Sequence, residues 1–506
     1  MARVLTDGSP IFNFSKLEIV MTSFFKNQTW ISSLNVLLLL FCAAGLSANN
    51  IQIGAPTLTG ENRTEGYVFV TFDLSWENSW RGTEANNWDA AWVFVKFRIG
   101  GGEWQHAKLH NTGHLPGTGT PATISAGLIN EDIPFEPSGN PAVGAFIYRS
   151  GDGFGTFNTT ANKLRWNYAA HGITNATSLE VNVFAIEMVY VPEGEFNVGG
   201  GGGYNAFTST TINTANATTA PSGTGSLGGQ AGGYPTGVNP PVSPNWPNGY
   251  DAFYCMKYEI SQQQYVDFLN SLTPSQSINL VNGDIYYGNS YYNNYTYYRY
   301  GILGDGQGSF TTSLPYLACN WIYQNRGAAY VDWAGLRPMS ELEFEKACRG
   351  NQLPVQNENA WGNSSYQNAS YTLSFVDQEN EGIASNYSTT SGNVNIGQGV
   401  FGPMRVGIFA ANGSNTGRIT SGASYWGIME LSGNLYDQCL LITENNSSQY
   451  SGYHGDGILT INGSSTEFTS LGLIARGGAV GQSSQVSGRD SYIYFYEFLG
   501  YRGVRG

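Results

Sequence analysis

Three histidines, His106, His110 and His114, recur every four residues in "WQHAKLHNTGHLPG". On a helix that spacing would line one face and offer imidazoles to a metal ion. The Asn, Gly and Pro around them read as strand and turn instead, so a shared helical face is not expected. Four cysteines, Cys255, Cys319, Cys348 and Cys439, remain once the N-terminal apolar segment is set aside. None stands in a C-x-x-C spacing, and no zinc site is expected. They permit either disulfides, in an oxidising compartment, or four buried thiols, and their pairing does not follow from sequence.

The C-terminal stretch "ARGGAVGQSSQVSGRDSYIYFYEFLGYRGVRG" holds no cysteine and no histidine, and its Asp490 and Glu497 sit among tyrosines. Tyr, Ser and Gly with an occasional Arg make adaptable binding surfaces, because tyrosine gives large amphipathic contacts at low entropic cost. Arg489, Tyr492, Tyr494 and Tyr496 are the expected ligand contacts, and their alternation with Ile493 and Phe495 reads as a strand with one tyrosyl face. The alternative is a strand with one face in the core and one ordinary surface. From Tyr286 to Tyr300, eight of the fifteen residues are tyrosine, a second cluster suited to stacking on sugars or to covering the domain.

A chain of 506 residues exceeds one ordinary core. Hydrophobic residues at 41% and aromatics at 14% suffice to build two or three. Charged residues make up only 12%, the net charge is −14 and no Lys/Arg run occurs, which excludes a nucleic-acid footprint. In "SLNVLLLLFCAAGLSANN" the apolar run Val36–Ala48 is too short to span a membrane and fits a signal-peptide core, with Lys26 as its positive flank. Residues 1–48 are therefore expected to be a cleaved signal peptide, with Met21 an alternative start, and the mature protein to be secreted.

Segments such as "YVFVTFDLSW" and "AAWVFVKFRIG" alternate apolar and polar residues between turn-rich stretches, predicting an all-β sandwich over 49–185. The region 186–506 reads as α+β. A Gly/Ser/Thr-rich segment at 199–249 predicts a long surface loop. In "ISQQQYVDFLNSL", Ser261 and Gln264 form a capping box, as do Ser340 and Glu343 in "MSELEFEKACRG", where Gly350 is the stop. "NWIYQNRGAAYVDWAG" predicts a third helix between them.

In this order, "MVYVPEGEFNVGG", "YCMKYEISQQQYVDFLNSL", "AYVDWAGLRPMSELEFEKACRG", "AWG", "YWGIMELSGNLYDQC", "ARGG" and "GYRGVR" resemble the formylglycine-generating enzyme, or sulfatase-modifying factor, family over about Met188 to Gly506. The resemblance implies a loop-rich variant of the C-type lectin fold. The family's oxidases hold copper between two cysteines after "RGG", a segment without cysteine here, so no copper and no oxidase activity are expected. Its iron enzymes use three histidines on an added helical domain; beyond the three already named, only His171 and His454 remain.

The resemblance also implies calcium. Glu430, the carbonyls of Gly433 and Leu435, and Asp437 match the family's motif in spacing, hard oxygen donors of the kind Ca²⁺ prefers. A second such site would fall at Asn386 and Tyr387. The expected protein is a secreted, non-catalytic binder of an extracellular protein or glycan, or a subunit of a surface assembly, pinned by calcium and contacting neither nucleic acid nor membrane. The alternative is an enzyme of the same fold with a different metal or redox site.

Overall fold

Strand β1 (Tyr67–Gly82) buries Val68, Val70, Phe72, Leu74 and Trp76 on one face, the period of two expected of a strand with one wet side. Strand β2 (Asn87–Ile99) follows across a hairpin and loses the alternation because both of its faces are covered. Ala91, Val93, Val95 and Phe97 join the core under β1, whereas Ala90, Trp92 and Phe94 enter a second, larger core. The molecule, here a computed structural model, is described for residues 50–82, 86–128, 141–173, 179–218, 241, 243–281, 298–442, 445–468, 470–489 and 496–506. The expected signal segment lies outside those residues, as does the tyrosine cluster before Tyr298.

The longer remaining strands of the N-terminal part are β3 (Ala122–Leu128), β4 (Ala142–Arg149), β5 (Gly153–Trp166) and β6 (Leu179–Val191), with the short Thr57–Asn62 edging β1. β1 pairs antiparallel with β5 from Val68↔Trp166 to Arg81↔Gly153. β2 pairs with β6 from Leu179↔Ile99 to Val189↔Asp89 and with β4, which carries β3. β1 and β2 themselves pair at the hairpin mouth, Arg81↔Trp88 and Gly82↔Asn87, so the two layers part there and close over the first core.

The C-terminal part adds β7 (Phe253–Met256), β8 (Arg337–Pro338), β9 (Asp437–Leu440), β10 (Leu473–Arg476) and β11 (Gly503–Arg505). β6 pairs with β7 through Met188↔Met256 to Val191↔Phe253, β11 pairs with β7 and β8, and one 13-stranded sheet therefore runs through both parts. β6 itself crosses residues 185 and 186. Trp92 Nε1 donates to Ala334 O at 2.8 Å, and Lys257 Nζ, buried, reaches Glu187 at 3.0 Å and Asp89 at 3.3 Å. These links tie three strands across the seam.

Four helices of eight or more residues contribute side chains to the larger core. α1 (Gln262–Asn270) and α4 (Glu341–Arg349) each carry the full capping box expected of them, and Gly350 ends α4 with φ +68°. α3 (Gln324–Trp333) buries Ala329, Tyr330 and Trp333. Between α1 and α3 runs α2 (Pro274–Val281), where Thr273 and Gln276 exchange side-chain and backbone bonds at 3.0 and 3.2 Å. The Gly/Ser/Thr-rich segment differs from its expected surface character in its described parts. It forms a small hairpin, Phe196–Val198 with Thr210–Ile212, and buries Phe207, Ile212 and Trp246 in the larger core, since hydrophobic spacing matters more to burial than mean composition.

Candidate functional site

α4 carries the most acidic run of the chain, and its inner face is a closed lattice of charge. Glu341 receives Arg489 Nε at 2.6 Å, Arg476 Nη1 at 3.3 Å and the Ile442 amide at 3.0 Å. Glu345 receives Arg476 Nη2 at 2.8 Å, Arg349 Nη1 at 3.0 Å and the Gly199 amide at 2.7 Å. Arg349 also binds Glu358 and, at 3.0 Å, the Ser487 hydroxyl. Burial alone would raise the Glu345 carboxyl, but Arg476 and Arg349 outweigh it and hold it below its ordinary range. Arg489, expected at a ligand surface, is spent here: it is buried, it pairs with Glu341, and its guanidinium lies 4.2 Å from the Phe207 ring centre. Tyr492 and Tyr494 lie outside the described residues, and Tyr496, whose side chain lies outside them too, opens the short 3₁₀ turn Tyr496–Phe498.

The turn before β9 brings the first expected calcium set into one buried place. Glu430 and Asn434 adopt left-handed backbone at φ +53° and +65°, and Gly433 at +82° leaves no room for a side chain, since a Cβ would meet Val394 at 2.3 Å. Glu430 Oε1 accepts the Gly407 amide at 2.9 Å, and Asp437 Oδ1 accepts Arg502 Nε at 2.9 Å. Their second oxygens, Glu430 Oε2 and Asp437 Oδ2, are buried without a partner. Among the described residues no hydrogen bond reaches the carbonyls of Gly433 or Leu435. Glu259 joins the cluster by accepting the Leu435 amide at 2.9 Å. Burial pushes all three carboxyls up, Glu430 to about 7, against the pull of Arg502. Both Glu259 oxygens are taken, by the Asn434 side-chain amide and the Leu435 N–H, so the open oxygens here are one each of Glu430 and Asp437 and the carbonyls of Gly433 and Leu435. Oxygens of these kinds suit a hard cation.

The second expected set is arranged otherwise. Asn386 donates its amide to Ser370 O at 2.7 Å and accepts Gln367 on its carbonyl at 2.6 Å, while the Tyr387 hydroxyl lies 2.7 Å from Thr420 O. These bonds stitch loops together. The histidine triplet sits on strand and turn: His106 is buried against Val143 O, and His114 Nδ1 accepts the Arg165 amide at 3.0 Å. The four cysteines are free, buried thiols with no disulfide among them. Burial raises each, Cys255 to about 12, so none offers a thiolate.

A place not anticipated from sequence lies at the seam between the two parts. A cavity of ≈ 550 Å³ is lined by Lys96, Lys108, His106 and His171 from the strand side and by Trp333 and Asp456 from the other. Lys96 Nζ donates to Gly457 O at 3.1 Å, and burial pulls its ammonium down to about 7.

A loop-rich α+β domain of short strands, capped helices and buried ion pairs, entered through a shared β-sheet, is the class these features define. The chain belongs to the sulfatase-modifying factor family: the model of the sulfatase-modifying factor enzyme 1-like domain matches residues 176–492. No curated protein matches it.

Proposed function

We propose that this protein is a secreted, non-catalytic binding or surface-assembly protein on the sulfatase-modifying factor scaffold, stabilised by calcium and directed at an extracellular protein or glycan. The observation that carries the reading is the turn 430–437, where Glu430, Gly433, Leu435 and Asp437 each present an oxygen with no protein partner. Bound there, Ca²⁺ supplies charge neutralisation and fixes loops that have little regular structure of their own. The non-catalytic part is supported by thiols that are buried and protonated, and by a C-terminal segment without the cysteines that hold copper in the family's oxidases. The apolar run Val36–Ala48 behind Lys26 supports secretion.

Metal analysis of the purified mature protein, with thermal melts before and after a chelator, tests this. Calcium that is lost in Asp437→Asn, with a lower melting temperature on chelation, is the expected result. Stoichiometric copper or iron, or calcium content unchanged in that variant, would overturn it. A second reading, an enzyme of the same fold using another site, is favoured by one observation: Lys96, His106, His171 and Asp456 converge on the seam cavity.

A further inference from the structure

Asp332 occupies the last turn of α3 and is fully buried, and neither of its carboxylate oxygens has a hydrogen-bond partner. Each of those circumstances opposes a negative charge. Burial strips its hydration, and the helix C-terminus adds its own partial negative charge. Two further carboxylates come to the same point from distant segments, Asp456 and Glu467. One ligand oxygen from each of the three lies within 4.8 Å of the other two.

We propose that Asp332, Asp456 and Glu467 form a site for a hard divalent cation of the calcium class, opening through Asp456 onto the seam cavity. Oxygens on opposite sides of a Ca²⁺ bound at about 2.3–2.6 Å stand up to about 4.6–5.2 Å apart, so three oxygens within 4.8 Å of one another can share one ion. An all-carboxylate set selects Ca²⁺, Mg²⁺ or Mn²⁺ over softer ions. Asp456 lines the cavity, so the remaining coordination positions face space that water or a ligand's oxygens can fill. The loop that brings Asp456 is built for close approach. A Cβ at Gly455 would come within 2.4 Å of the Asp332 backbone, and the Gly457 amide donates to Asp332 O at 3.1 Å. Lys96, which lines the same cavity, is committed to Gly457 O and its ammonium lies 5.2 Å from the Trp333 ring centre.

The site is independent of the turn at 430–437, and the experiment separates the two. Tb³⁺, a calcium surrogate sensitised by nearby tryptophan, is titrated into the mature protein and displaced with Ca²⁺ or Mg²⁺; Trp333 adjoins Asp332 in the chain and serves as the antenna. Asp456→Asn and Glu467→Gln, at half-buried positions that tolerate substitution, are each expected to weaken one class of Tb³⁺ binding by about tenfold or more. Trp333→Phe is expected to dim the same class, and Asp437→Asn to leave it intact. Titrations unchanged in both Asp456→Asn and Glu467→Gln would overturn the site, as would loss of all binding in Asp437→Asn.

Discussion

Two buried clusters of charge in the same domain use the same residue types to opposite ends. Around α4, Glu341, Glu345 and Glu358 meet Arg349, Arg476 and Arg489, and both oxygens of Glu341 and Glu345 are taken. At the end of α3, Asp332 stands bare with Asp456 and Glu467 beside it. The first cluster balances its charge within the protein and leaves nothing to bind. The second is three acids with one committed lysine nearby. The acidic run "SELEFEKACRG" is thus architecture, and the single Asp of "AYVDWAG" is the better candidate for a ligand.

Glu341→Gln should break the closed cluster most severely, because it leaves Arg489 in the core without a carboxylate and takes one of the two that Arg476 holds. A loss of about 3–5 kcal/mol in urea unfolding is expected. A loss below about 1 kcal/mol would mean that the lattice relaxes and is less closed than its geometry implies. Calcium comes next: at a hundredfold excess over its dissociation constant it should raise stability by about 2.7 kcal/mol per site. A urea midpoint unmoved by calcium or chelator would remove the distinction between open and closed clusters. Asp332→Asn sharpens the comparison by its sign. In metal-free buffer it should leave stability unchanged or raise it by up to about 1 kcal/mol, where the equivalent change at Glu341 is ruinous. A large loss in metal-free buffer would show that Asp332 holds the fold rather than a cation.

The smallest effect concerns pH. Burial pulls the His171 imidazole down to about 4, helped by Lys108, and its Nε2 accepts the Lys108 amide at 2.9 Å. The unfolded chain takes up this proton near pH 6.5 and the folded one near 4. The stability that neutral His171 supports is therefore complete above pH 6.5 and falls away as pH drops toward 4. His171→Gln keeps an acceptor for Lys108 and should flatten this slope in melts against pH. Parallel slopes in the two proteins would place the acid sensitivity elsewhere, in His106 or His114.

The elements of the fold were largely legible because their signals are local. Ser261–Gln264 and Ser340–Glu343 announce helix starts within four residues, and both form. The box at Thr273–Gln276 is the same kind of local signal, with Pro274 as the first helical residue. The alternation in β1 gave its buried face residue by residue, whereas β2 lost its pattern for a reason no single strand contains: a second core lies on its other side.

Chain order alone carried the family resemblance, the missing cysteines and the spacing of Glu430, Gly433, Leu435 and Asp437, since each is a matter of residue identity within a short window. Whether a charge is answered is a different kind of fact. Arg489 reads as a surface contact until Glu341, far away in sequence, is found against it. Asp332, Asp456 and Glu467 belong to three separate segments that nothing in their own neighbourhoods connects. Burial and charge balance arise from contacts between distant parts of the chain, and only the folded chain decides which acids meet an arginine and which are left facing one another.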